Sequence, residues 1–167
     1  VTKSGVVKAT RSGNITVTAS AGFGRKGSCA VKVIYRRIHV KNGQVIEHAA
    51  GAALAPITVA APDNADAYIY LKNRSNTKND VSFFVRKNRK ATVDVPLGRY
   101  REYVATGGTQ WYGRKYMFGN STRCFLMEGT VKCYLSGQYY IGTRITMNHY
   151  DPNSEYSNVI DTKEFPE

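Results

Sequence analysis

The sequence has few acidic residues, few methionines and no long apolar run. Asp and Glu total 12 against 24 Lys and Arg, which gives a formal net charge of +12, and 167 residues include only 3 Met, 3 Cys and 1 Trp. No apolar stretch is long enough to span a bilayer or to serve as the core of a signal peptide. No helical period is sustained anywhere in the chain. These absences disfavour a helical or membrane-spanning protein.

Motifs that usually carry catalysis or metal binding are also absent. The chain contains neither a GxxxxGK[ST] phosphate loop nor a GxGxxG unit between a strand and a helix. The histidines His39, His48 and His149 are scattered, and no motif pairs one of them with a Ser or Cys nucleophile. No second pair of Cys or His stands at zinc-ligand spacing. The sequence therefore predicts a protein that is not an enzyme and that carries no cofactor or metal.

What the sequence does contain is typical of β-sheets. It has 15 Gly and 12 Tyr, and Val, Ile, Thr and aromatic residues recur at alternate positions. The clearest pattern runs from Val81 to Gly119, where three alternating strands precede an aromatic loop. Such alternation needs a second layer to bury its apolar side, and about eight strands are expected after residue 55. An all-β fold is predicted, with a β-sandwich or jelly-roll-like domain in the C-terminal part.

Two domains are expected, one in residues 1–50 and the sandwich in residues 51–167. Three short alternating strands are predicted near the start: Gly5 to Thr10, Ile15 to Ala19 and Ser28 to Ile34. Asn42-Gly43 is the strongest short-range hairpin signal in the chain and would join strands at Ile38 to Lys41 and Gln44 to Glu47. The small residues from Ala49 to Ala55 would connect the two domains.

The cysteines suggest a second hairpin. The segment RCFLMEGTVKCYL predicts two strands with Glu128-Gly129 as the turn, and counting outward from that turn places Cys124 opposite Cys133. At a non-hydrogen-bonded site the Cα atoms would be about 4.5 Å apart, which a disulfide tolerates. We expect a cross-strand disulfide in an oxidising compartment and a reduced pair otherwise. Cys29, by contrast, is expected to be a small buried thiol.

The run RKNRK would place four charges on the tip of a hairpin: Arg86, Lys87, Arg89 and Lys90. An exposed tip can reach a polyanion such as nucleic acid or an anionic cell-wall polymer, and Arg can make forked contacts to phosphate. The simpler interpretation is that these charges solubilise the tip and protect the edge of the sheet. The sequence leaves both interpretations open.

Trp111 and Tyr112 lie in a glycine-flanked loop together with Tyr116 and Phe118. Their rings could form a platform on which a sugar ring or a base stacks. Packing in an aromatic corner is the interpretation we favour, because glycines at fixed spacing usually reflect the geometry of the backbone.

Two resemblances bear on function. The patterns Gly-Val-Val-x-Ala, Gly-x-Ile-Thr-Val-Thr-Ala and Cys-Ala-Val-x-Val in residues 1–34 resemble the closing half of a bacterial Ig-like domain of the group 2 type. Residues 55–166, through APITVAAP, VPLGRY, ATG and WYGRKYMFG, resemble an uncharacterised C-terminal module of secreted or membrane-anchored proteins of Gram-positive bacteria. The cysteine pair and the RKNRK turn depart from that second pattern.

The resemblances imply a non-enzymatic, structural or adhesion-type domain of a bacterial surface or secreted protein. A polyanion-binding module is the alternative. The chain begins at Val1 without Met, so it is expected to be a fragment or a processed form that is extracellular or attached to the cell surface through an anchor outside it. The expected partner is a surface protein or glycan, or a polyanion. The opening strands of the Ig-like pattern are missing, so a strand-exchanged dimer is also expected.

Overall fold

The computed structural model describes residues 6–7, 12–147 and 158–166, and its regular elements are β-strands and two short 3₁₀ turns. The predicted all-β fold is therefore confirmed. His149 and most of the predicted strand Gly5 to Thr10 lie outside the described residues. The chain divides into two compact units, Val1–Arg37 and Ile38–Glu167, so the division falls earlier than residue 50. In the described part of the chain, no helix has the length and apolar character needed to cross a membrane.

The first unit is a two-stranded antiparallel ribbon of β1 (Gly13–Ser20) and β2 (Lys26–Val33). The register places apolar side chains on one side of the ribbon and polar ones on the other. The apolar side consists of Ile15, Val17, Ala19, Cys29, Val31 and Val33, all of them exposed or half-buried. The expectation that Cys29 is buried is wrong, because no second layer among the described residues covers it.

The second unit contains the remaining strands of the described chain. They are β3 (Val45–Glu47), β4 (Ala55–Ala60), β5 (Asp66–Asn73), β6 (Val81–Val85), β7 (Lys90–Val95), β8 (Gly98–Gly107), β9 (Arg123–Leu126), β10 (Val131–Ser136), β11 (Tyr139–Ile141), β12 (Thr143–Thr146) and β13 (Val159–Ile160). The 3₁₀ turns are Thr77–Asn79 and Gly119–Ser121.

These strands form two sheets with a core between them. The large sheet has the order β11-β10-β8-β5-β6-β3, with β9 also paired to β8 and β13 paired to β9. The small sheet has the order β12-β4-β7, in which β12 and β4 are parallel. The core between the sheets contains Ile57 and Val93 from the small sheet and Ile69, Phe83 and Val104 from the large one. The unit is thus a β-sandwich, as predicted.

A second core covers the opposite face of the large sheet. It is mostly aromatic, and its members are Val40, Tyr68, Tyr70, Phe84, Tyr103, Ala105, Trp111, Met117, Phe118, Cys124 and Phe165. The loop after β8, the segment before β3 and the end of the described chain supply the residues that lie outside the sheet. Because both faces of the large sheet are covered, every residue of β6 is buried, and apolar residues do not alternate with exposed ones there.

The Asn42-Gly43 turn forms, with Gln44 N–H donating to the Lys41 carbonyl oxygen at 3.2 Å. The predicted hairpin around it is nevertheless wrong. Residues 38–41 are not a strand, and β3 pairs antiparallel with β6 instead. The turn therefore directs β3 to the edge of the large sheet, where Phe84 N–H donates to the Gln44 carbonyl oxygen at 3.0 Å.

The predicted hairpins at residues 86–90 and at Glu128-Gly129 are also wrong. Strands β6 and β7 flank the first of these turns, but they belong to different sheets, so residues 86–90 cross from the large sheet to the small one. Strands β9 and β10 flank the second, and both pair antiparallel with β8, through Leu126 opposite Tyr103 and Val131 opposite Tyr100. The chain therefore continues in one direction along β8, and residues 127–130 bulge out between the two pairings. We call this segment the β9–β10 bulge.

Candidate functional site

The basic crossover, residues 86–90, contains one arginine that is held in the fold. Arg86 Nη1 lies 3.1 Å from Asp66 Oδ2, and Arg86 Nη2 donates to the Val40 carbonyl oxygen at 2.7 Å. The guanidinium carbon also lies 5.3 Å from the centre of the Phe84 ring, close enough for a cation–π contact. Asp66 is only 1% exposed, so this ion pair neutralises a buried charge. Arg86 is therefore held in the fold by its ion pair, and its side chain is 30% exposed.

The other three basic residues of the crossover, Lys87, Arg89 and Lys90, are exposed. The backbone beneath them is well fixed, since Lys87 N–H donates to Asp66 Oδ1 at 2.8 Å and Arg89 N–H donates to the Arg86 carbonyl oxygen at 3.0 Å. Their positions are thus set by the fold while their side chains extend into solvent.

The outer face of the small sheet adds a further charge beside the crossover. Lys90 of β7 pairs with Ala60 of β4, and two residues earlier in β4 Thr58 pairs with Arg144 of β12. Residues alternate along a strand and paired residues share a face, so Lys90 and Arg144 lie on the same side of the sheet. Asp94 is on that face as well. The exposed basic residues thus lie beside a sheet face that also carries Asp94.

Trp111 is 2% exposed, so the prediction that it could stack on a ligand is wrong. Its ring centre lies 4.9 Å from that of Tyr68, 5.4 Å from that of Phe84 and 5.3 Å from that of Phe118. The favoured interpretation, an aromatic corner, matches this packing. Tyr112 is half-buried at the rim of the cluster, and its hydroxyl is hydrogen-bonded to the side-chain oxygen of Gln110.

Cys124 and Cys133 are both free and do not lie opposite each other, so the predicted cross-strand pairing of the two cysteines is wrong. Cys124 lies opposite Ala105 and Cys133 lies opposite Gly98, at separate places along β8. They also face different cores, Cys124 the aromatic one and Cys133 the one between the sheets. Burial raises the pKa of Cys124 to about 12 and that of Cys133 to about 11. Both thiols are therefore expected to be unreactive in the native protein.

The sequence analysis missed Glu102 of β8. Its side chain is 6% exposed, and burial raises its pKa to about 7. The signal was present in the strand GRYREYVATG, where Glu102 occupies the same alternating phase as Tyr100 and Val104, both of which face the core between the sheets. A charged residue in the apolar phase of a strand is a reason to look for a site.

His39 and His48 are both exposed, and they do not lie in a common cluster with acids or cysteines. Among the described residues, no group of three or more His, Cys, Asp or Glu side chains is arranged to hold a metal ion. Two features therefore stand out for binding: the basic group around residues 87–90 and the buried carboxyl of Glu102. A comparison of the chain with protein-family models, with curated proteins and with solved structures finds no match.

Proposed function

We propose that the chain is a non-enzymatic, structural or adhesion-type β-domain of a bacterial surface or secreted protein. The observation that carries the proposal is the amphipathic ribbon β1–β2. Its apolar side runs along both strands and is exposed or half-buried in the described residues. An apolar face of that length, on strands whose outer edges pair with no other described strand, is suited to joining another β element.

The second unit supports the same proposal because its sequence motifs serve packing. In VPLGRY, the hydroxyl of Tyr100 donates to the Pro96 carbonyl oxygen at 2.6 Å. In ATG, a Cβ on Gly107 would lie 2.4 Å from the Cβ of Phe118, so only glycine fits against that ring. In the motif around Trp111, the ring fills the aromatic core. These elements describe a rigid scaffold of the kind that presents or spaces other parts of a surface protein.

The extracytoplasmic part of the proposal can be tested with the thiol of Cys29, which is exposed while the other two cysteines are buried. Intact cells that produce the protein would be treated with a membrane-impermeant maleimide. We expect Cys29 to be labelled without lysis, and Cys124 and Cys133 to be labelled only after denaturation. A Cys29→Ser variant gives the background.

A partner on the apolar side could shield Cys29, so a second reporter is needed. Ser28 lies on the polar side of the ribbon and is exposed. Ser28→Cys in the Cys29→Ser background moves the thiol to that side. If both reporters are labelled only after lysis, the extracytoplasmic proposal is wrong. If Ser28→Cys is labelled and Cys29 is protected, the ribbon is covered in the cell, as an adhesion-type role requires.

We propose polyanion binding as the second candidate function, favoured by the exposed group of Lys87, Arg89, Lys90 and Arg144. Short duplex DNA and an anionic wall polymer would be titrated at low and near-physiological salt. Replacing Lys87, Arg89 and Lys90 together with Ala should abolish binding that survives physiological salt.

The matched control for this test removes the same amount of charge from the ribbon, where Arg25, Lys26 and Lys32 are all exposed. Replacing these three residues with Ala should leave the affinity almost unchanged if the crossover is the site. Equal weakening by both triple variants, or loss of all binding with modest salt, would show that the net charge alone is responsible.

A further inference from the structure

Among the described residues, the buried carboxyl of Glu102 has no counter-charge in the core that it enters. It lies on β8 directly opposite Leu71 of β5, and the neighbours in its phase, Tyr100 and Val104, belong to the core between the sheets. Glu102 Oε1 has no hydrogen-bond partner among the described residues. Burying a carboxyl without a hydrogen-bond partner lowers the stability of the fold, so its presence here needs a physical explanation.

The β9–β10 bulge opens a cleft of about 300 Å³ above this carboxyl. Met127 N–H still donates to the Glu102 carbonyl oxygen at 3.0 Å, and residues 128–130 then leave the edge of β8 opposite Arg101. No described strand pairs with β8 at this point. The walls of the cleft are apolar, formed by Met127, Val131 and Ile145. The cleft therefore brings three apolar side chains together with a buried carboxyl group.

The other polar groups of the cleft are acceptors or can act as acceptors. Glu128 contributes a second carboxylate, and Thr130 and Thr143 contribute hydroxyl groups. The Thr143 hydroxyl donates to the Lys132 carbonyl oxygen at 3.2 Å, which leaves its own lone pairs available. Among the described residues, the lining contains no Lys, Arg or His. This set of groups disfavours an anion and suits a ligand that donates hydrogen bonds and carries positive charge.

We propose that the cleft binds the ammonium group of a small primary alkylamine, with the Glu102 carboxylate as its counter-ion. The ammonium donates hydrogen bonds to Glu102 and to the hydroxyl of Thr143, since the hydroxyl of Thr130 already accepts from the Arg74 guanidinium. The alkyl chain lies against Met127 and the other apolar walls. A quaternary ammonium is disfavoured because it has no N–H to donate and because the described lining residues include no aromatic ring. The absence of a third acidic, His or Cys ligand in the described residues disfavours a metal ion.

The charged and titratable groups that border the cleft set the pH dependence of amine binding. Glu128 lies in the lining, and Arg74 Nη1 donates to Thr130 Oγ1 at 3.3 Å. The residues that β5 and β12 place against the carboxyl, Leu71 and Ile145, carry no charge. Burial raises the pKa of Glu102 to about 7, so below that pH the carboxyl is protonated and must release its proton for an ammonium to bind. An alkylamine stays protonated throughout, since its pKa is about 10.

The test follows the methionine methyl groups by NMR while n-butylamine is added to the full chain. There are only 3 Met, so the spectrum is simple, and Met117 in the aromatic core serves as an internal control for Met127 in the cleft. The titration is carried out at pH 8 and at pH 5.5, and repeated with n-butanol and with tetramethylammonium. Glu102→Gln is the test variant, and Glu128→Gln is the matched control at the same cleft.

We expect n-butylamine to shift the Met127 methyl signal saturably and to leave Met117 unmoved. Affinity should be roughly thirtyfold lower at pH 5.5 than at pH 8, since each unit below the carboxyl pKa costs about tenfold. Glu102→Gln should weaken binding at least about tenfold at pH 8, and Glu128→Gln should weaken it less.

The proposal is overturned if the Met127 signal shows no saturable shift with n-butylamine. It is also overturned if n-butanol or tetramethylammonium binds as well as the amine, or if Glu102→Gln binds like the parent. The pH comparison uses the natural chain, so it decides the matter even if the variant does not fold: equal affinity at the two pH values excludes Glu102 as the counter-ion.

Discussion

The ribbon β1–β2 and strand β7 show the same alternation of apolar and polar residues, with opposite results. In β7, Ala91, Val93 and Val95 are buried against the large sheet. In the ribbon, Ile15 and Cys29 hold equivalent positions on the apolar side and remain exposed. Alternation therefore indicates that a strand has an inner side, but only a second layer turns that side into a core.

This difference has an energetic meaning. A two-stranded ribbon gains little from burial and is marginal by itself, whereas a strand between two layers contributes apolar area on both faces. The large sheet is such a case, with the small sheet on one face and the aromatic core on the other. We therefore expect substitutions in the second unit to have large effects on stability, and matched substitutions in the ribbon to have small ones.

The largest effect is expected from Trp111→Ala, which empties the centre of the aromatic core. Loss of a buried aromatic ring should lower the free energy of unfolding by about 3–5 kcal/mol. Phe23→Ala removes an aromatic ring that is fully exposed beside the ribbon. This variant should change the free energy of unfolding by less than about 0.5 kcal/mol. Urea unfolding followed by far-ultraviolet circular dichroism measures both. Similar losses in the two variants would contradict the comparison.

Glu102→Gln should change how stability depends on pH. The pKa of Glu102 is raised in the folded state from 4.5 to about 7, so between these values the folded protein holds a proton that the unfolded chain has released. Stability should therefore fall as pH rises through this window, by up to about 3 kcal/mol, and stay low above it. The glutamine variant should lack this contribution.

The difference in unfolding free energy between the parent and Glu102→Gln can be followed from pH 4.5 to pH 8 in urea. Fluorescence of the single Trp, residue 111, reports on the second unit alone. If the difference between the two proteins is independent of pH across this window, the carboxyl is not the buried, unpartnered group that the structure describes.

A smaller effect is expected from Gly107→Ala. The new Cβ would lie 2.4 Å from the Cβ of Phe118, and overpacking of this kind costs about 1–3 kcal/mol. Gly27→Ala in the ribbon is the matched control, because nothing lies within 4 Å of a Cβ at Gly27. Urea unfolding followed by far-ultraviolet circular dichroism should show a lower midpoint for the first variant and no change for the second. Equal midpoints would mean that the aromatic core can shift to make room.

The smallest free energies of local opening are expected in the ribbon itself, and hydrogen exchange is the measurement that is sensitive to them. Backbone amides of β1 and β2 should show little protection in the isolated chain, since the ribbon has no second layer among the described residues. Amides of β5, which pairs on both sides with β6 and β8, should be protected almost to the level of global unfolding. Strong protection of the ribbon would show that another surface covers its apolar side.

Much of the local structure was predictable. The alternation at Val81, Phe83 and Val85 correctly indicated a strand, and Asn42-Gly43 correctly indicated a turn. Three hairpins were predicted wrongly, because a turn signal states only that the chain changes direction. Whether the next strand returns to its neighbour, crosses to another sheet or continues along the same edge depends on contacts between residues far apart in sequence.

The candidate site was less predictable for the same reason. Arg86 looked like one of four equivalent charges, but its pairing with Asp66 joins residues on different strands. The predicted Cys124–Cys133 disulfide assumed that the nearest strand was the partner, whereas β8 lies opposite both cysteines. Glu102 was visible only as a charge in the apolar phase of a strand, and its burial depends on what the small sheet places above it.

The sequence by itself determined the all-β class, the phase of each strand and the division of apolar from polar sides. These follow from the period of two in a β-strand, which is a property of consecutive residues. Only the tertiary structure decided which strands pair, which of the apolar sides are buried and which charges are neutralised. Those outcomes depend on the desolvation and packing of residues that are distant along the chain, and no local pattern contains that information.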